Sequence, residues 1–303
     1  MDWLLEDAVR CVERRDGRGA ATFGPWTAHS VGGGDALLSA PLDALAELWR
    51  RRLEDREPLA YLIGAVHWRD VVLAVAPGVL VPRPETSDLV DLALREAGSG
   101  PEGDWADLGT GSGAIGLALA RELPGHGTVW LVDRDPTAVA VASTNARRLG
   151  VPSSGEGRGS ACVPSPGEGG GSAGAPSRAV RVLQGSWSDS LPIPAGSLAG
   201  VASNPPYVLE GAISQAEVLR HEPAGALFGG GADGADSLRD VSAAAARLLM
   251  PGGALVLETG GAAQASLVAS WLVGGDAPAR FAHAEIERDA FGVERFVVAR
   301  RAI

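Results

Sequence analysis

From Pro101 onward, short apolar runs alternate with segments whose apolar residues recur at helical spacing. The runs predict β-strands and the periodic segments predict α-helices. Because strands and helices alternate, the pattern predicts an α/β fold with parallel βαβ units in a doubly wound sheet. The predicted strands are 105–108, 128–132, 180–184, 198–203 and 254–258, and the predicted helices are 114–122, 136–149, 237–249 and 262–272.

The end of the chain departs from this alternation. Two further apolar segments, 281–287 and 294–300, have no long helical segment between them. Strands joined without a crossover helix pair in the antiparallel sense. We therefore predict a C-terminal antiparallel hairpin at the edge of the sheet.

The first hundred residues have a different pattern. Helical spacing in 2–15 and 41–53 predicts a small helical N-terminal domain over 1–57, with a Gly-rich loop at 32–34. The Val-rich stretch 65–80, with a turn signal at Arg69-Asp70, predicts a β-hairpin in a linker over 58–85. A main domain over 86–303 then opens with a helix, 87–97, which Thr86 or Ser87 can cap.

The main domain is interrupted by a segment of low complexity. Residues 152–177 consist largely of Gly, Ser, Pro and Ala, with few large apolar side chains. Such a composition does not supply the apolar surface that a packed core needs. We expect a disordered surface insertion, with a partner-binding role as the alternative.

Composition limits the classes of function. The net charge is −11, and all 26 basic residues are arginine. An acidic chain is a poor general nucleic-acid binder because phosphate contacts require a basic face, so no stable nucleic-acid binding is expected. No apolar run reaches the roughly 20 residues of a membrane helix. The acidic N-terminus and two distant cysteines favour an intracellular protein, and we expect a monomer without a metal centre.

A glycine-rich turn follows the first predicted strand of the main domain and opens a helix, a position where backbone N–H groups can approach a ligand closely. Asp133 ends the next strand, where a carboxylate can accept both hydroxyls of an adenosyl ribose. Asp135 is better placed to cap the helix from Pro136, which leaves Asp133 available. A dinucleotide enzyme would share these features. The turn reads Asp107-Leu108-Gly109-Thr110-Gly111-Ser112-Gly113.

A second loop lies at the carboxyl end of the strand 198–203, where open α/β sheets bind ligands. It reads Asn204-Pro205-Pro206-Tyr207. The prolines stiffen the loop, so Asn204 Oδ1 and a proline-pair carbonyl can accept both N–H groups of a planar amide or amine. The Tyr207 ring can stack on the flat group and fix its orientation. The loop therefore suits transfer of a group to a planar nitrogen.

Together these strings resemble the release factor glutamine methyltransferases, the HemK/PrmC family. The resemblance runs from about Pro58 to Arg301. The Asn-Pro-Pro-Tyr string alone would admit adenine amine methyltransferases, and the Pro-Arg-Pro-Glu-Thr string narrows the choice to this family. The strings that carry it are Val81-Pro82-Arg83-Pro84-Glu85-Thr86, Asp107 to Gly113, Val132-Asp133, Ser203 to Tyr207, and Arg220-His221-Glu222-Pro223 with Ala226-Leu227.

The resemblance implies a Rossmann-like methyltransferase sheet and methyl transfer from S-adenosylmethionine to the glutamine of the Gly-Gly-Gln loop of a peptide-chain release factor. It implies that Asp107, Gly109 to Gly113 and Asp133 bind the cofactor beside Trp187. Asn204 would contact both cofactor and substrate, and the N-terminal domain would dock the release factor. The substrate side would be formed by Pro205, Pro206, Tyr207, Arg83 and Glu85.

Two alternatives stay open at this point: a nucleic-acid adenine amine methyltransferase and a ribosomal-protein glutamine methyltransferase. The acidic charge disfavours the first, and the 83–86 string disfavours the second. The short N-terminal region and the insertion at 152–177 depart from the family pattern. The compartment is expected to be the cytoplasm, or an organelle with its own translation if a presequence is missing.

Overall fold

A computed structural model describes residues 43–152, 178–188, 191–213, 215–274 and 281–303 in full, and the backbone of Leu42 and of two short strands before it. The predicted helix at 2–15 and all but the first residue of the predicted insertion lie outside these residues. The proposed domain boundaries stay predictions.

The main domain is built on a seven-stranded sheet with the order β10-β11-β9-β8-β5-β6-β7. Strands β5 to β9 are mutually parallel, as the alternation predicted. The order runs outward from β5 in both directions, so the chain reverses direction across the sheet between β5 and β8. The parallel strands are β5 (Asp104–Leu108), β6 (Thr128–Asp133), β7 (Ala179–Gln184), β8 (Leu198–Ser203) and β9 (Leu249–Glu258).

The C-terminal hairpin is confirmed. Strand β10 (Phe281–Arg288) pairs antiparallel with β11 (Glu294–Arg301), which pairs antiparallel with β9. The strand β10 therefore forms one edge of the sheet, as predicted. Within β9 the strand begins at Leu249, five residues before the predicted start at Ala254.

Helices cover both faces of the sheet, and the alternating side chains of each strand are divided between two cores. In β5, Trp105 packs on one face and Ala106 on the other. The first face is covered by α3 (Ser87–Ala97), α4 (Ala114–Glu122) and α5 (Pro136–Arg148), and the second by α8 (Asp236–Leu248) and α9 (Ala262–Gly274). These helices match the predicted segments within a few residues. No helix of the described part of the chain is long and apolar enough to span a bilayer.

The region before the main domain contains more strand than the sequence predicted. Besides the predicted helix α1 (Leu42–Arg50), which continues into a π-turn (Arg51–Asp55), it contains an antiparallel pair, β1 (Ala28–Val31) and β2 (Asp35–Leu38). A short helix, α2 (Leu59–Ile63), was also not predicted.

The predicted linker hairpin is present as β3 (Ala65–Trp68) and β4 (Val71–Ala74), joined at Arg69-Asp70. Residues 75–80 are outside it. Asn145, fully buried on α5, fixes the hairpin to the main domain. Its Oδ1 accepts from the Ala74 N–H at 2.7 Å, and its Nδ2 donates to the carbonyls of Ala74 and Ser112. The hairpin is therefore joined directly to the glycine-rich turn.

Candidate active site

The two predicted loops meet at the point where the strand order reverses. The glycine-rich turn, residues 107–113, follows β5, and Asn204 to Tyr207 follow its neighbour β8. The Ser203 hydroxyl donates to the Leu108 carbonyl and joins the two strand ends. Between them lies a cavity of about 180 Å³. Its wall includes Val79, Arg83, Thr86, Gly109 to Ser112, Ile115, Asp133, Trp187, Asn204, Pro206 and Ala226.

The glycine-rich turn is held by hydrogen bonds that point into the protein. The N–H groups of Gly109 and Thr110 donate to the Val132 carbonyl at 2.9 and 3.0 Å. Gly111 donates to Asp133 Oδ2 at 2.9 Å, and Gly113 donates to the Thr110 carbonyl. The N–H groups of Gly109, Thr110, Gly111 and Gly113 thus already have acceptors within the protein. The part of the turn that lines the cavity, Gly109 to Ser112, has no large side chain.

The two carboxylates of this region differ in position. Asp107 is completely buried behind the turn, where its Oδ2 accepts from the Thr110 hydroxyl at 2.6 Å and from Gly116 N–H at 2.8 Å. Burial raises the pKa of Asp107 to about 7. Asp107 thus supports the turn from below and does not line the cavity.

Asp133 lines the cavity at the end of β6. One of its oxygens accepts from Gly111 and the other from Asp135 N–H, each at 2.9 Å. Burial raises the pKa of Asp133, and these two hydrogen bonds oppose the shift. Asp135 caps α5 through Thr137 N–H at 2.7 Å, as predicted.

Trp187 covers the glycine-rich turn. A Cβ atom placed on Gly109 would lie 3.1 Å from the Trp187 ring, and Gly109 has a φ of 81°. A side chain here would therefore be strained and would collide with the ring. The indole is part of the cavity wall, together with Asp133 and Asn204.

In the second loop, Asn204 and Pro206 line the cavity, whereas Pro205 is buried behind them. Asn204 Nδ2 donates to the Thr86 hydroxyl at 3.1 Å. No hydrogen bond within the described residues uses Asn204 Oδ1 or the carbonyls of Pro205 and Pro206. These three acceptors therefore have no donor within the described residues, and the Pro206 carbonyl packs against Gly229, where a Cβ atom would lie 2.8 Å from its oxygen.

Tyr207 is fixed from the far side of the loop. Its hydroxyl donates to Glu258 Oε1 at 3.1 Å, and its carbonyl accepts from Gln264 Nε2 at 2.9 Å. Burial, together with the charge of Glu258, raises the pKa of Tyr207. The ring is partly buried against the second core. Tyr207 is therefore oriented by β9 and α9 and does not line the cavity itself.

Thr86 and Glu258 were missed as site residues. The cap that the sequence assigned to Thr86 or Ser87 is wrong: α3 has no side-chain cap, and the Thr86 hydroxyl serves Asn204 instead. Glu258 has no exposed surface, and burial raises its pKa to about 7. A carboxylate that ends an apolar strand beside β8 is a signal that could have identified Glu258.

Of the two predicted residues Arg83 and Glu85, only Arg83 lines the cavity. The Arg83 guanidinium binds both oxygens of the nearly buried Glu222, at 2.8 and 2.9 Å, which joins two of the strings that carry the resemblance. Arg83 also borders a larger cleft of about 650 Å³ that includes Leu59, Val81, Ala216 and Glu217. The charge of Glu85 acts on Tyr207 and Glu258, but Glu85 does not line the cavity.

Comparisons with known proteins agree with this arrangement. A family model described as "Methyltransferase small domain" matches residues 87–158, the part that contains the glycine-rich turn and Asp133. The fold and this match define a Rossmann-like methyltransferase of the small-domain type.

Curated relatives define the family more closely. A release factor glutamine methyltransferase of Gloeobacter violaceus is 41% identical over 88% of this chain and 82% of its own length. One of Thermosynechococcus vestitus is 37% identical over 86% of this chain and 80% of its own. One of Synechocystis is 35% identical, over 83% and 76%. The chain belongs to the release factor glutamine methyltransferase family.

Proposed function

We propose that this protein transfers a methyl group from S-adenosylmethionine to the side-chain amide nitrogen of the glutamine in the Gly-Gly-Gln loop of a peptide-chain release factor. The observation that carries the proposal is that Asn204 and Pro206 line the cavity beside the glycine-rich turn, in a loop whose acceptors have no donor among the described residues. Family membership supports the choice of substrate.

The residues around the cavity suit S-adenosylmethionine better than a dinucleotide. Glycine turns that bind phosphates direct their N–H groups at the ligand, but here Gly109 and Thr110 donate to the Val132 carbonyl and Gly111 donates to Asp133. S-adenosylmethionine has no phosphate and needs no such donors. Asp133 keeps lone pairs for ribose hydroxyls, and Trp187 is placed to cover an adenine. When bound, this cofactor supplies a methyl group on a positively charged sulfur.

The protein's own task is to orient a weak nucleophile. The lone pair of an amide nitrogen is delocalised, so both N–H groups must be held while the nitrogen is aimed at the methyl group. Asn204 Oδ1 accepts one N–H, and a carbonyl of Pro205 or Pro206 accepts the other. Both prolines are rigid, which keeps these acceptors in place.

The release factor is assigned to the side of the cavity bordered by Arg83. The larger cleft there has both charges and apolar surface, which suits a polypeptide. In this proposal Arg83 and Glu85 shape the substrate side, and the region 1–57 contributes to docking. A release factor works with ribosomes, so the proposal places the protein in the cytoplasm or in an organelle with its own translation.

The test is methyl transfer to purified release factor with radiolabelled S-adenosylmethionine. We expect label on the wild-type release factor and none on a variant whose Gly-Gly-Gln glutamine is replaced by alanine. The two substrates differ by one side chain, so docking is matched. Equal labelling of both would contradict the glutamine assignment, and label on neither would contradict the substrate class.

A further inference from the structure

The proposed role of Asn204 depends on which end of its amide faces the cavity. An asparagine side chain can present either an acceptor oxygen or a donor NH₂ group, and only its hydrogen-bond partners decide between them. The partner here is the Thr86 hydroxyl, which is almost completely buried and can itself act as donor or acceptor. Thr86 alone therefore does not fix the orientation.

Glu258 supplies what Thr86 lacks. An ionised carboxylate only accepts hydrogen bonds. Glu258 Oε1 accepts from Tyr207, and the nearby Thr86 hydroxyl lowers the pKa of this carboxyl group. The other oxygen, Oε2, is buried and has no hydrogen-bond partner among the described residues. A buried carboxylate oxygen without a partner costs free energy, so a hydrogen bond from an adjacent hydroxyl to this oxygen is favoured.

The three groups form a relay with one direction. When the Thr86 hydroxyl donates its hydrogen bond to Glu258, the Thr86 oxygen has only acceptor lone pairs left and therefore accepts from Asn204 Nδ2. Asn204 Oδ1 then points to the cavity. We propose that Glu258 is a positioning residue which, through Thr86 and Tyr207, sets the polarity of the Asn204 amide and the orientation of the Asn-Pro-Pro-Tyr loop. The inference rests on the proposed function only for its effect on turnover.

Protonation of Glu258 reverses the relay. A protonated carboxyl group donates, so the Thr86 hydroxyl is released to donate to Asn204, and the amide turns its NH₂ group outward. Because burial raises the pKa of Glu258 to about 7, this change falls in an accessible range. The charged or titratable groups that face Glu258 are Glu85, Tyr207 and Arg295. Arg295 favours the ionised form, and Glu85 opposes it.

The chain offers a direct measurement because it contains only two asparagines, Asn145 and Asn204. Protein labelled with ¹⁵N-asparagine gives two side-chain amide signals without any substrate. We expect the Asn204 signals to shift between about pH 5.5 and about pH 8.5 with a midpoint near 7, and to lose this titration in Glu258→Gln. The Asn145 signals, held by backbone partners, serve as the internal reference.

Turnover gives a second readout. We expect Glu258→Gln and Thr86→Val each to lower kcat by about 10- to 100-fold, with cofactor Kd changed by less than about threefold. The double variant should have a kcat no lower than that of the less active single variant, because both substitutions break the same relay. Thr86→Ser keeps the hydroxyl and should restore most of the activity. Asp104→Asn, a carboxylate-to-amide change at the opposite end of β5, should have wild-type kcat.

The two possible failures are distinguishable. Asn204 signals that stay constant with pH, or that titrate equally in Glu258→Gln, would overturn the relay whatever the enzyme methylates. The relay would also be overturned if the loss of kcat in the double variant equalled the product of the two single losses. A wild-type protein that does not methylate a release factor would contradict the proposed function, while the substrate-free signals of Asn204 would still decide the role of Glu258.

Discussion

The two loops of the active site are built by opposite means. The glycine-rich turn at 107–113 is fixed from within one continuous stretch of chain: Asp107 accepts from Thr110 and Gly116, Val132 and Asp133 accept from its N–H groups, and Asn145 donates to Ser112, 33 positions away. The loop at 204–207 is fixed by residues far away: Asn204 by Thr86, 118 positions earlier, and Tyr207 by Glu258, 51 positions later. A binding surface can thus be formed locally, whereas the aiming of a reactive group here needs distant elements.

The largest expected effect distinguishes the two asparagines, because Asn204 is assigned a chemical role and Asn145 a structural one. Asn204→Ala should lower kcat by about 1,000-fold because it removes an oriented acceptor, while cofactor Kd and the free energy of unfolding change little. Its matched control is Asn145→Ala. That change leaves backbone groups of Ala74 and Ser112 unpaired and should lower the free energy of unfolding by about 3 kcal/mol.

Steady-state kinetics, cofactor titration and urea unfolding on both variants test this contrast. If Asn204→Ala keeps kcat within about tenfold of the wild type, its chemical role is wrong. If Asn145→Ala unfolds like the wild type, the link between hairpin and glycine-rich turn does not stabilise the fold.

The second effect addresses the glycine-rich turn. Gly113 has a φ of 88°, and a Cβ atom there would lie 2.9 Å from Leu117 Cδ1 and 3.3 Å from the Ala142 Cβ. Gly113→Ala should therefore raise cofactor Kd about tenfold and cost about 2 kcal/mol of stability. At saturating cofactor, kcat should stay near the wild-type value.

Gly150→Ala is the matched control, since Gly150 has a φ of 66° but, apart from its chain neighbours, no atom of the described residues lies within 4 Å of the position that a Cβ would take. It should cost about 1 kcal/mol of stability and leave cofactor Kd unchanged. Calorimetric titration of both variants decides. Equal cofactor affinity in the two would mean that the shape of the turn does not control binding.

The same contrast explains what the sequence could predict. The glycine spacing, Asp133 at the end of a strand and the Asp135 cap all depend on neighbours within a few residues, so local patterns identify them. The Asn-Pro-Pro-Tyr loop was also visible as a string. Its supports were not. Thr86 has the sequence context of a helix cap, and only the packing of β8 beside β9 brings Glu258 to Tyr207.

Outside the site, the long elements were predicted to within a few residues because each buries a regular apolar pattern. The short ones were missed. Helices α2, α6 (Ala216–His221) and α7 (Ala224–Leu227) are at most six residues long, too short to display a helical period. The strands β1 and β2, of four residues each, are likewise too short to show a clear alternating pattern. Short helices depend on tertiary contacts for their stability.

The smallest expected effect separates the two buried carboxyl groups. Burial raises the pKa of both Asp107 and Glu258 to about 7, so between about pH 4 and pH 7 the folded protein keeps protons that the unfolded chain has released. The free energy of unfolding should therefore fall as pH rises through this interval, by up to about 1.4 kcal/mol per pH unit for each group.

Asp107→Asn removes one of these protons and should flatten the pH dependence measured by urea unfolding, while the Asn204 amide signals titrate as in the wild type. Glu258→Gln should flatten it to a similar degree and abolish that titration. The pH dependence of the free energy of unfolding thus reports both buried carboxyl groups. The Asn204 amide signals identify which of them is connected to the Asn-Pro-Pro-Tyr loop. If Asp107→Asn also abolished the Asn204 titration, the two loops would share one proton-linked hydrogen-bond network. The carboxyl group that supports the glycine-rich turn would then also set the orientation of Asn204.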